Sequence, residues 1–255
     1  MFTVIAKYFC CLFLVFACTA EAGPASKLPK GFIRCSLSDP DLNKCIWNGL
    51  NVAFPYMSKG IPSLGLFPVD PLHVTKLVID EGSQGPVQIK MQFEELDIYN
   101  FNSTIIKDYQ FDTANLNMSI SVQTKLPIVL EGLYEMNGKV LVLPITGKGK
   151  CRMVIDNYSS KSYLQFKKII KNGVTYLELV KLSWNFSTTK LHLKFENLFN
   201  GDKSLGDNMN VFLNENWREL LADLQPAFEE ALGAAVSNVV QQFFSRVPLN
   251  QIFSE

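Results

Sequence analysis

The chain lacks net charge: 24 Lys and Arg balance 24 Asp and Glu over 255 residues. A neutral chain has no general attraction for phosphate backbones or anionic membranes, and no local basic cluster supplies one. Nucleic acid and stable membrane insertion are therefore not expected. Histidine is scarce, with only His73 and His192, which are separated by most of the predicted strands and read as surface or sheet residues. There is no Gly-x-Ser-x-Gly elbow, His-Glu-x-x-His pair, phosphate-binding Gly-x-x-x-x-Gly-Lys loop or calcium loop. Ser187-Thr188-Thr189-Lys190 fits Ser-x-x-Lys but has no companion motif, and Gly147-Lys148-Gly149-Lys150 reads as a turn between two strands. Asp202, Asp207 and Glu215 surround a turn and a helix start, where capping accounts for them. No cysteine has a second thiol or a histidine at ligand spacing, so no metal is expected. Together these absences predict a protein without catalysis and without a cofactor.

Apolar surface is what the chain has in quantity: 47% of its residues are hydrophobic, including 19 Phe, 8 Tyr and 3 Trp. That content excludes disorder and predicts a large core or an apolar cavity. Lys7, the apolar run 8–19 and the small-x-small site Ala20-Glu21-Ala22 read as a signal peptide over residues 1–22. The run is well short of the roughly 20 residues that span a bilayer. The chain is thus expected to be exported, with residues 23–255 forming one domain. Cys10, Cys11 and Cys18 leave with the signal. Cys35 and Cys45 are the natural pair for a small clip across a loop and a helix start. Cys151 remains, either as a buried thiol or as a link to another chain. Asn102, Asn117, Asn157 and Asn185 begin Asn-x-Ser/Thr sequons and are glycosylation candidates in an exported protein.

Apolar residues at three- and four-residue steps predict a helix over 41–58, entered through Ser38-Asp39-Pro40-Asp41 and closed by Gly60. From residue 73 to 195 the period becomes two. Val87, Ile89, Met91 and Phe93 alternate with polar residues, and after Glu94-Glu95 the apolar set shifts to Leu96 and Ile98, as a bulge requires. Leu116, Met118, Ile120 and Val122 alternate with Asn117, Ser119, Ser121 and Gln123, which puts one sequon on a polar face. Further strands are predicted over 128–135, 139–145, 151–156, 163–169, 174–182 and 191–195, with hairpin turns at Asn137-Gly138 and Asn172-Gly173. This middle region reads as one long antiparallel meander. A helix of unusual length is predicted over 208–246, bent at Pro226.

On that last helix Leu213, Trp217, Leu220, Leu221, Leu224, Phe228, Ala231, Leu232, Ala235 and Val239 form one wide apolar stripe. The stripe fits a packed core and fits a tunnel between helix and sheet. Ala231 and Ala235 stand where a tight core favours leucine, and Met91, Met118, Met153 and Met209 are adaptable lining residues. The tunnel reading assigns its wall to Phe54, Leu64, Met91, Phe93, Met118, Ile120, Met153 and Met209, together with that stripe.

Several blocks carry a resemblance over nearly all of residues 23–255. They are Cys35 and Cys45 around Ser38-Asp39-Pro40, Ile61-Pro62-Ser63-Leu64, Asp70-Pro71-Leu72, the stretch 138–149 with Pro144-Ile145, and Asn197-Leu198-Phe199-Asn200-Gly201-Asp202 through Leu213-Asn214-Glu215-Asn216-Trp217. With these blocks the chain resembles the insect takeout and juvenile hormone binding proteins. The resemblance implies an α+β fold in which a long C-terminal helix is wrapped by a highly curved antiparallel sheet, related to bactericidal permeability-increasing and lipid-transfer proteins. It also implies a secreted carrier whose internal tunnel holds hydrophobic ligands such as terpenoids. The expected cargo is a small elongated hydrophobic molecule, terpenoid, juvenile-hormone-like or fatty lipid, and with zero net charge, polar strand faces and outward sequons the protein is expected to be a monomer. Cys35 and Cys45 match the family's N-terminal disulfide. Hormone-binding members carry a second disulfide, whereas Cys151 has no cysteine to meet in 191–195, which favours a takeout-like member. A lipid-transfer or membrane-interacting protein of the same fold is the alternative, and an unrecognised lipid-modifying enzyme stands third.

Overall fold

The computed structural model describes residues 28, 32–81 and 86–254; the predicted signal peptide lies outside the described residues. The elements in chain order are β1 (Cys35–Ser36), α1 (Leu42–Ser58), β2 (Leu72–Glu81), β3 (Val87–Tyr99), β4 (Thr104–Asp112), β5 (Asn117–Thr124), β6 (Ile128–Val140), β7 (Leu143–Asp156), β8 (Ser159–Lys171), β9 (Val174–Ser187), β10 (Lys190–Phe195), α2 (Lys203–Glu215), α3 (Trp217–Arg246), α4 (Leu249–Ile252) and β11 (Phe253–Ser254).

The strand region is not one meander. It forms a five-stranded sheet, ordered β10-β7-β6-β3-β2, and a four-stranded sheet, ordered β4-β5-β8-β9, both antiparallel. Consecutive hairpins alternate between the two sheets, so β3 pairs with β6 and β5 with β8. The long helix α3 lies against β9 of one sheet and β2, β3 and β10 of the other. The architecture is therefore α+β, with a long C-terminal helix packed on antiparallel sheets.

Open sheet edges leave unpaired backbone groups. Here helix side chains pair them. Asn43 Oδ1 accepts from Phe111 N at 2.8 Å and Trp47 Nε1 donates to Ile106 O at 3.3 Å, which ties α1 to the edge strand β4. At the opposite edge, Glu229 accepts from Phe186 N and Gln241 from Leu179 N, tying α3 to β9. The β10 edge is held by α2: Asn210 bonds the N–H and carbonyl of Phe195, and Asn214 those of Leu193. Amide side chains supply a donor and an acceptor at one position, which a strand edge requires.

Three local expectations are corrected. The predicted helix over 208–246 is two helices, broken at Asn216, with Pro226 inside the second. Asn216 adopts φ −104° and ψ 22°, and its amide bonds the Phe212 carbonyl, a local competitor of the helical ladder. Each helix then serves a different sheet edge. Asn137-Gly138 is not a turn but part of β6; the turn is at Leu141-Val142, where Leu141 has φ 55°. A Cβ on Gly138 would lie 2.1 Å from Gln88 O, so this glycine allows β3 to approach closely. Gly147-Lys148-Gly149-Lys150 likewise lies within β7, not in a turn. By contrast, Asn172 and Gly173 turn with φ 51° and 77°, and the β3 register shifts between Glu94 and Asp97, where the apolar set moves.

Candidate hydrophobic ligand site

Two apolar cavities lie along α3. The first, of about 80 Å³, is enclosed by the inner faces of β3, β6, β7 and β10 and by the end of α2 and first half of α3. The second, of about 220 Å³, is bounded by α1, β4, β5, the β8–β9 pair, the last turns of α3, and Phe253 of β11. The sheet faces supply these walls because strand alternation puts every second side chain inward.

Among the described residues the first cavity offers no free polar side chain: the one polar side chain there is Thr188, whose hydroxyl is 2.7 Å from Asp156 O and 2.8 Å from Lys190 O. In the second, the polar side chain is Tyr109, and burial raises its phenol well above the ordinary tyrosine range. On both β9 and α3 the cavities are separated by intervening residues. One of these, Trp184, stacks on Phe186 with ring centroids 5.6 Å apart. Across from it, the position of a Gly233 Cβ is 4.0 Å from the Trp184 ring.

Of the residues expected on a tunnel wall, Met91, Met153, Leu213, Leu220, Leu224, Phe228 and Leu232 line the first cavity. Phe54, Met118 and Ile120 line the second. Phe93, Met209 and Ala231 pack in the core around the first cavity, with Phe93 fully buried 6.1 Å from the Phe228 ring. Leu64 packs with Ile61, Leu66 and Val247 instead. Trp217 is buried with Arg218 4.9 Å and Lys190 5.7 Å from its ring centroid. Ala235 and Val239 fall on α3 between the two linings. Sequence reasoning missed Tyr109 and the Phe243-Phe244 pair. The pair is a legible signal at the end of a helical stripe; Tyr109 is hidden by a bulge that breaks the alternation of β4.

Cys35 and Cys45 form a disulfide with Cα atoms 5.8 Å apart, and Cys151 is free and buried. Burial pushes the Cys151 thiol up to about 11. Asn102, Asn157 and Asn185 are exposed, while Asn117 is half-buried with its Oδ1 enclosed. Both histidines sit on strands beside carboxylates: His73 Nδ1 is 2.8 Å from Asp97 Oδ1, and His192 Nε2 is 2.9 Å from Asp156 Oδ2. The Asp97 hydrogen bond raises the His73 pKa. Asp202 caps α2 by accepting from Leu205 N at 3.0 Å. Among the described residues no three His, Cys, Asp or Glu side chains are placed to hold a metal ion, and no helix is long and apolar enough to cross a membrane.

The fold has a counterpart among solved structures. The structure is similar to takeout 1 of Epiphyas postvittana, with a TM-score of 0.77 over 88% of this chain and 100% of that one, at 23% identity. In sequence, the chain is 25% identical over 245 residues to the circadian clock-controlled protein daywake of Drosophila melanogaster, covering 94% of this chain and 92% of that protein. It is 24% identical over 220 residues to a putative beta-carotene-binding protein of Schistocerca gregaria, covering 85% of each. The family model of the haemolymph juvenile hormone binding proteins matches residues 11–254, and the chain belongs to that family.

Proposed function

We propose that the protein is an exported carrier whose two apolar cavities are the ends of one path for an elongated hydrophobic molecule. Residues 1–22 are its signal peptide and residues 23–255 one monomeric domain, with glycans expected at the exposed sequons. The observation that carries this reading is the pair of apolar cavities strung along one helix, whose walls carry no charged side chain among the described residues. Such walls suit transport and give little chemistry to a catalyst. Family membership and the beta-carotene-binding relative support a hydrophobic cargo. Neither cavity alone reaches the roughly 300 Å³ of an ordinary ligand pocket. The residues between them must therefore yield to a long ligand, and Ala235 and Val239 are small enough to do so. A terpenoid or fatty chain fits; juvenile hormone itself has no special support.

Displacement of an environment-sensitive apolar fluorophore by long-chain probes tests this reading, together with mass spectrometry of an organic extract of the purified protein. The expected result is displacement insensitive to salt and an extract holding a chemically intact apolar molecule. Probes that fail to displace the fluorophore, or recovery of a modified product after incubation, contradict it.

The second reading is lipid transfer or membrane docking by the same fold. Phe67, Val142 and Ile170 give it footing, since they are 80%, 87% and 75% exposed in connecting segments or at strand ends. Co-sedimentation with neutral lipid vesicles at low salt separates the two readings: a carrier stays in the supernatant.

A further inference from the structure

We infer that Tyr109 is the polar anchor of the second cavity and that it selects a ligand whose polar end is a neutral hydrogen-bond acceptor, such as a ketone, ester or ether oxygen. The inference rests on the carrier reading and adds the chemistry of the cargo's head. It begins with the backbone. Along β4, Ile106 is buried, Lys107 and Asp108 are both exposed, and Tyr109 and Phe111 are buried. Strict alternation from Ile106 would turn Tyr109 outward; the register shift between Ile106 and Asp108 inserts the residue that brings it in. Bulges re-aim side chains in this way. The fold thus departs from a regular strand at the point that points a phenol inward.

The phenol is not consumed by the chain. Tyr109 is 6% exposed, and its hydroxyl is buried without a hydrogen-bond partner among the described residues. Tyr134, also deeply buried, differs: its hydroxyl donates to Glu196 O at 2.7 Å. Buried hydroxyls are nearly always paired, so an orphan needs an explanation. Three other buried polar atoms lack partners, on Asn117, Thr124 and Asp223, but those residues line neither apolar cavity. Among the described residues Tyr109 alone combines an orphan hydroxyl with a place on a cavity wall.

The rest of that wall sets the charge of the guest. Its described residues include no Lys, Arg, His, Asp or Glu. A carboxylate would lose its hydration with one phenol in return, and an ammonium would meet no anion. A neutral acceptor takes the phenol's proton in a hydrogen bond and asks for nothing more. Its hydrocarbon tail can then run toward the first cavity, where Thr188 is already engaged.

The test uses residues 23–255, wild type and Tyr109→Phe, with fluorophore displacement by dodecane, 2-dodecanone and dodecanoic acid. Wild type should prefer the ketone over the alkane by about tenfold, the worth of one hydrogen bond near the upper end of its usual range. In Tyr109→Phe that preference should vanish while alkane affinity stays within about twofold. Thermal stability of the ligand-free variant should not fall, because the deleted oxygen has no partner to lose. In wild type, dodecanoic acid should bind more weakly at pH 8 than at pH 5, since it enters neutral and its carboxyl ionises in water at roughly pH 4 to 5. A ketone preference that survives in Tyr109→Phe, a variant that melts lower or fails to fold, or acid at pH 8 bound as tightly as ketone overturns the assignment. If none of the three probes displaces the fluorophore from wild type, the carrier reading itself fails.

Discussion

The two cavities share a helix but are built differently. The first is walled largely by fully buried side chains of the five-stranded sheet, such as Ile89, Leu130, Met136 and Ile145, each 3% exposed or less. The second is walled largely by half-buried residues of α1 and the chain ends, with Ile33 43% exposed. A wall made of core has little freedom to move, because close-packed interiors transmit any displacement. A wall made of a short helix, a disulfide loop and the C-terminal residues opens at lower cost. On the proposed carrier reading, the difference gives the first cavity the ligand's tail and the second its entry and recognition.

Truncation should separate the two walls most. Leu220→Ala, at a site 3% exposed on the first cavity, should destabilise the fold by about 2 to 5 kcal/mol in urea unfolding. Phe54→Ala, on the half-buried face of α1, should cost about 1 to 2 kcal/mol, because less of its area leaves water on folding. Equal losses would erase the distinction between a core wall and a flexible one.

Opening the clip comes next. Cys45→Ser should lower stability by about 2 to 3 kcal/mol. Hydrogen exchange should then rise over α1 and β4, with β3, β6 and β7 unchanged. Exchange rising equally across both sheets would show that the second cavity's wall is not a separable unit.

A pH titration gives a smaller effect with a fixed sign. Burial raises the Cys151 thiol to about 11 and the Tyr158 phenol to about 12, and pushes Tyr109 and Tyr134 up as well. Each group loses its proton in the unfolded chain first, so the unfolded state binds fewer protons and stability must fall as pH rises. For Cys151 the loss begins near its ordinary value of 9 and is complete by about 11. Cys151→Ala should flatten that part of the melting curve, and a variant as alkali-sensitive as wild type would contradict the assignment. The same burial predicts that alkylation at neutral pH leaves residues 23–255 unmodified when folded and modifies one cysteine after denaturation.

Much of this was legible in the sequence because alternation and helical steps report burial directly. The β3 bulge was readable from Glu94-Glu95, since the apolar parity changes on either side of it. The β4 bulge was not, because Lys107-Asp108 simply looks like a polar interruption, and with it went Tyr109. The Asn137-Gly138 pair misleads for a different reason: glycine there answers the close approach of the Gln88 backbone, and a dipeptide does not say which strand it faces. The break at Asn216 was hidden because an apolar stripe stays in phase across it, while the break itself depends on two helices being tied to two different sheet edges. Of the stripe, Leu213, Leu220, Leu221, Leu224, Phe228 and Leu232 meet a cavity, whereas Trp217, Ala231, Ala235 and Val239 do not. Leu64, Phe93 and Met209 also miss both linings, because their neighbours are set by tertiary packing rather than period.

The central claim is that one elongated molecule occupies both cavities, polar end at Tyr109 and tail beneath the first half of α3. Co-crystallisation of residues 23–255 with 18-bromo-2-octadecanone, read by anomalous scattering, tests it most directly. The account predicts a single bromine among Leu220, Leu224 and Phe228, with the ketone oxygen within hydrogen-bond distance of the Tyr109 hydroxyl. Bromine at the protein surface, or a chain confined to one cavity with the ketone turned away from Tyr109, would contradict it.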